Sequence, residues 1–171
     1  MAMLPGVAGA ATTTWTNELV PAPMAVDGEL TAVSCPTATD CVAVPAHVDD
    51  AAPFVGQWNG STWSTVTIPG LPVNDYIWRG VSCASADACA VVGSFFAAHG
   101  LPALSAWWNG STWTAEPLRV PYQWVPYGVS CSSATNCLAV GAGMVGPGGE
   151  DPAMVQHWNG RTWTVEHPVM P

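Results

Sequence analysis

The chain has 171 residues, 49% apolar and only 9% charged, with 12 acidic side chains against three arginines and no lysine, for a formal net charge of −9. That length suits one domain with a real core, and 10 tryptophans give it ample surface to bury, which excludes disorder. Arg79, Arg119 and Arg161 are too few to form a basic track for nucleic acid or an anionic membrane surface, and no run approaches the roughly 18 apolar residues of a membrane span.

Met1 to Ala10 lacks the basic start and apolar centre of a targeting signal. Thr14-Trp15-Thr16-Asn17-Glu18, followed by Pro21, then announces a pattern that returns later as Thr112-Trp113-Thr114-Ala115-Glu116. Trp15 lies 48 residues before Trp63, so this segment reads as an orphan fourth strand.

Three copies of one unit follow. Cys35, Cys83 and Cys131 are spaced by 48 residues, and Trp58, Trp108 and Trp158 by 50. In each copy a first strand ends in Val-Ser-Cys (Val33 to Cys35, Val81 to Cys83, Val129 to Cys131), and five small polar residues separate it from a second strand opening at Cys41, Cys89 or Cys137. A variable loop leads to a third strand ending at Trp58, Trp108 or Trp158. An Asn-Gly dipeptide, which favours a type I′ turn, joins it to a fourth strand carrying Trp63, Trp113 or Trp163. Four antiparallel strands at this period are the signature of a propeller blade; a β-sandwich is the alternative.

The expected fold is therefore all-β, with three four-stranded antiparallel propeller-type blades plus one orphan N-terminal strand. The lead-in covers residues 1–21 and the blades cover 22–69, 70–120 and 121–171. Propellers typically close with four to eight blades, so three require company. A second copy, a longer parent chain or an open head-to-tail filament would each supply it.

Each Cys-x5-Cys pair spans one predicted hairpin, where facing Cβ atoms lie roughly 4.5–5.5 Å apart, close to disulfide geometry. Cys35–Cys41, Cys83–Cys89 and Cys131–Cys137 are the expected bonds. Zinc is the competing reading, but structural zinc pairs have shorter spacing and a second pair nearby; no metal or other cofactor is expected. Three disulfides without a lysine point to an oxidising, extracellular setting.

The tryptophans bracketing each Asn-Gly turn share one face of the hairpin. Trp58, Trp63, Trp108, Trp113, Trp158 and Trp163, with Trp15, are read as blade packing, each large ring burying about 150–250 Å². A ladder of sugar-stacking platforms is the functional alternative. Asn59-Gly60-Ser61 and Asn109-Gly110-Ser111 match glycosylation acceptors, but turn chemistry accounts for all three copies, including Asn159-Gly160-Arg161.

The pattern VSC-x5-C-x-AVG followed by WNG-x-TW resembles a repeat of secreted bacterial proteins and covers roughly residues 12–168. The resemblance implies a β-propeller fold and carries no activity. Gly60 to Trp63, Gly110 to Trp113 and Gly160 to Trp163 also resemble the Asp-box hairpin of sialidase-like propellers, although Trp58, Trp108 and Trp158 stand where that box has its acidic residue.

Function is sought where the copies differ. The loops between second and third strands hold His47, Asp49 and Asp50, then Phe95, Phe96 and His99, then Glu150 and Asp151; the last acidic pair and Asp49-Asp50 could solvate loops or coordinate calcium. The interblade connections hold Asp75, Tyr76 and Trp78, then Tyr122, Trp124 and Tyr127. These five aromatic rings are the candidate ligand surface, suited to a glycan or an apolar partner. His47, His99, His157 and His167 fit no catalytic triad or zinc motif. Three functions stand at this point. The leading one is a non-catalytic, secreted structural module that self-assembles through blade edges into a ring or filament, with strand exchange by the Trp15 segment as one route. A glycan-binding propeller and a hydrolase fragment are the alternatives.

Overall fold

The computed structural model describes residues 29–97, 101–118, 124–143 and 153–166. The Trp15 segment lies outside them, as do His99, Tyr122, Glu150, Asp151 and His167.

The described residues form thirteen strands and no helix. The first copy contributes β1 (Leu30–Ser34), β2 (Cys41–Pro45), β3 (His47–Ala51), β4 (Phe54–Trp58) and β5 (Trp63–Thr67). The second contributes β6 (Asn74–Ser85), β7 (Ala88–Phe95), β8 (Ala103–Trp108) and β9 (Trp113–Pro117). The third contributes β10 (Trp124–Ser133), β11 (Asn136–Gly143), β12 (Ala153–Trp158) and β13 (Trp163–Glu166). Three antiparallel sheets result, in the orders β1-β2-β4-β5, β3-β6-β7-β8-β9 and β10-β11-β12-β13. Each resembles a propeller blade, with its first strand beside the first strand of the neighbouring blade.

The second sheet departs from the four-strand expectation. The first copy's variable loop is a strand, β3, that crosses into the next blade and pairs with β6 at His47↔Ile77 and Val48↔Tyr76. The long β6 offers its outer edge there while β7 holds the other side at Tyr76↔Phe95. Val48 explains the crossing: it is 1% exposed and joins Tyr76 and Trp78 in the core between the first two blades. An added strand covers backbone groups that would otherwise be a bare edge, so His47 and Asp49 stand on a sheet rather than on a free loop.

The turns also differ in detail. The residues between paired cysteines form tight, bulged turns closed by Ser85↔Ala88 and Ser133↔Asn136. At the Asn-Gly sites the loop has four residues, because Trp58↔Trp63, Trp108↔Trp113 and Trp158↔Trp163 are the last strand pairs. The asparagine side chain organises this loop: Asn59 Oδ1 accepts from the Ser61 and Thr62 backbone N–H groups at 3.0 and 2.9 Å. Asn109 and Asn159 do the same in their copies. Gly60, Gly110 and Gly160 all take φ near +90°, which only glycine adopts freely.

Two apolar cores lie between blades, not within them. One joins Val42, Val44 and Val55 of the first blade to Val81, Val91 and Trp113 of the second. The other joins Ala90 and Val92 of the second to Trp158 and Trp163 of the third. A sheet buries a face only against another layer, so each blade depends on its neighbour.

Candidate interaction site

Within every blade the same chemistry is laid in a row across four strands. Cys83↔Cys89 and Cys131↔Cys137 are register partners on the first two strands, and all three cysteine pairs are bonded, with Cα atoms 3.9–4.1 Å apart. The second cysteine faces the first tryptophan (Cys41↔Trp58, Cys89↔Trp108, Cys137↔Trp158), and that tryptophan faces the second. Ring centroids of these tryptophan pairs lie 5.6–5.7 Å apart, the tilted contact that aromatic quadrupoles favour. The rows are tied to the adjoining turn by the indole N–H of Trp108 on Ala86 O and of Trp158 on Ala134 O, both at 3.1 Å.

Blades are joined by a second repeated device. The serine of Val-Ser-Cys in one blade accepts the backbone N–H of the cysteine in the next: Cys83 N–H on Ser34 Oγ at 3.0 Å, and Cys131 N–H on Ser82 Oγ at 2.9 Å. Beside this relay the first strands approach closely. A Cβ on Gly80 would lie 3.2 Å from the Gly128 Cα, and the Arg79 guanidinium sits 5.9 Å from the Tyr127 ring centre. Sequence reasoning gave these serines no role. Their signal was the invariable Ser before each first cysteine, which the cysteines overshadowed.

Among the described residues, both ends of the series carry an uncovered half of this junction. Val42 and Val44, and their equivalents Ala90 and Val92, are at most 5% exposed under the following blade. Leu138 and Val140 hold the same places in the third blade and are 47% and 48% exposed. At the opposite end, Val33 is 60% exposed whereas its equivalent Val81 is 9% exposed beneath the first blade. The third blade thus ends in an apolar giving face with Ser130, equivalent to Ser34 and Ser82, exposed beside it. The first blade begins with an apolar receiving face around Val33 and Cys35.

The aromatic residues read as a ligand surface divide. Tyr76 and Trp78 are each 1% exposed and Trp124 is fully buried, all three inside the interblade cores. Their rings are committed to packing and present no face to a glycan, which corrects that expectation. Alternation along β6 and β10 turns them inward, and glycine opposite makes room: a Cβ on Gly141 would stand 2.8 Å from Trp124 Cε2, and one on Gly93 2.9 Å from Trp78 Cε3. Tyr127 alone of the described four is exposed, at 59%, beside the Arg79 guanidinium of the second blade. Of the remaining site groups, Asp49 and Asp75 stand on the paired strands β3 and β6. His157 Nε2 meets Asn136 Oδ1 at 2.7 Å. Among the described residues no group of three or more His, Cys, Asp or Glu could hold a metal ion, and no helix is long and apolar enough to cross a membrane.

Burial pushes the Tyr76 phenol above its ordinary range, and its O–H donates to Pro72 O. The unfolded chain therefore releases this proton at lower pH than the folded one. Stability from this group is intact below about pH 10 and falls as pH rises through the folded value. Tyr76→Phe is expected to flatten the alkaline limb of a melting-temperature profile; an unchanged limb would assign it to other groups.

No family model matches the chain, and no curated protein matches it. Among solved structures the chain is similar to "YCF48 bound to D1 peptide", with 17% identity and a TM-score of 0.55 over 80% of this chain and 39% of that one. The chain thus spans about two fifths of the length of that protein. Likeness at this identity concerns the fold, a β-propeller-like arrangement of blades.

Proposed function

We propose that this chain is a non-catalytic, extracellular interaction module that continues its blade series head to tail with a second copy, joining the giving face of one chain to the receiving face of another. The observation that carries the reading is the serine relay. Ser34 and Ser82 each bond the next blade's cysteine N–H, and Ser130 is exposed beside Leu138 and Val140 with no fourth blade among the described residues to receive it. Apolar faces that neighbouring blades cover elsewhere in the same chain are complementary by construction, since each interior junction is already an instance of the contact. Two such chains would supply six blades, within the usual range for closure. The disulfides support an oxidising compartment. The similar structure contains a bound peptide, which supports polypeptide recognition over catalysis.

The test uses two charge insertions on opposite faces, Val33→Glu and Leu138→Glu, with mass measured by light scattering. Either variant alone is expected to be monomeric, because each closed contact needs one face of each kind. Mixed in equal amounts they should form a capped heterodimer, through the intact giving face of the first and the intact receiving face of the second. Wild-type chain that remains a monomer, or variants that assemble alone, would refute the reading.

A further inference from the structure

The junction between the first two blades differs from the next one in a way that the repeat exposes. At the second junction Trp107 of the second blade lies on Trp158 of the third, with ring centroids 5.3 Å apart and planes within 26°, and Trp158 is 3% exposed. At the first junction Gln57 holds the place of Trp107 and Trp108 holds that of Trp158. Trp108 is only half-buried there, and a cleft of about 190 Å³ opens between the blades, lined by Asp40, Gln57, Trp58, Asn59, Ser64 and Trp108 among others. A second departure falls at the same cleft. Asp40 stands where the other copies have Ala88 and Asn136, and its Oδ2 accepts from Thr37 Oγ1 at 2.5 Å and Thr39 Oγ1 at 2.9 Å.

We propose that this cleft receives an arginine side chain of a partner polypeptide, its guanidinium flat on Trp108 and directed at the Asp40 carboxylate. The internal template supplies the shape, since a planar group already lies on the equivalent ring one junction away. The carboxylate supplies the sign. Hydrogen bonds from Thr37 and Thr39 hold the Asp40 carboxyl below its ordinary range, so it is charged at neutral pH. A guanidinium is the planar side-chain cation that keeps its charge at neutral pH: it stacks on indole and pairs with carboxylate, whereas an ammonium is compact and strongly hydrated. The chain's net charge of −9 draws a basic partner by long-range attraction.

Titration of the full chain with acetyl-arginine N-methylamide, followed on the tryptophan indole N–H signals by NMR, tests the assignment. The neutral isostere acetyl-citrulline N-methylamide, free indole and glucose are the comparison probes. The expected result is a saturable shift of the Trp108 signal with the arginine probe, weakened by added salt and about tenfold weaker in Asp40→Asn. Gln57→Trp, which fills the cleft with the ring used at the next junction, should abolish it while the protein stays folded. Trp107→Gln opens the equivalent space, where Ala88 holds the place of Asp40, and should add no second arginine site of comparable strength. Equal binding of citrulline, binding of indole or glucose in preference to arginine, binding that survives Gln57→Trp, or no shift of Trp108 would each overturn the proposal.

Discussion

Trp124→Ala is expected to lower folding stability by about 3–5 kcal/mol, a large part of the roughly 5–15 kcal/mol that holds a typical domain together. The ring is fully buried in the core between the second and third blades, where it packs with Ala90, Val92, Leu118 and Met154. Gly141 lies against it so closely that no side chain fits between, and little can collapse into the space left behind. The indole N–H has no acceptor among the described residues, so truncation sacrifices packing and not a hydrogen bond. A urea midpoint measures the effect. Trp108→Ala, at a half-buried ring beside a cleft, should cost distinctly less. Equal losses at the two sites would mean that the cleft is closed in solution. A Trp124 variant of normal stability would return this ring to the candidate ligand surface.

Reduction of the three disulfides together is expected to produce a loss of similar or greater size. The chain-entropy relation gives about 2.4 kcal/mol for each seven-residue loop, as an upper value because a hairpin already restrains its ends. Each bond also opens a row that continues through two tryptophans, so its loss loosens the register of a whole blade. The predicted outcome is a lower denaturant midpoint in a reducing buffer, and partial loss in the double variant Cys83→Ser/Cys89→Ser. Cys89 is 1% exposed, so the serine placed there must also bury a hydroxyl. Midpoints unaffected by reductant would show that cross-strand packing alone holds the register.

The repeat was legible because it is written in rare residues at fixed spacing. Cys83 to Cys89 and Trp108 to Trp113 are local pairs, and hairpin geometry settles such pairs without knowledge of the rest of the chain. β3 was not legible for the opposite reason. His47-Val48-Asp49-Asp50-Ala51 is short, acidic and unlike the corresponding loops, and it becomes a strand only because β6 of another blade offers an edge and a pocket for Val48. The three buried rings show the same limit. Tyr76, Trp78 and Trp124 lie between repeats, where unlike residues suggested a ligand, and the neighbouring blade claims their faces.

The sequence by itself determined the four repeated strands of each blade, where their turns fall, the cysteine partners and the row of tryptophans, since each depends on residues a few positions apart and on the alternation of a strand. Tertiary structure decided which blade covers which face, how Ser34 and Ser82 reach a cysteine 49 residues away, and why Trp108 and Trp158, equal in sequence, differ in exposure. Alternation tells which side chains share a face, but the cover on that face comes from another sheet, and its contacts exist only once the sheets are stacked.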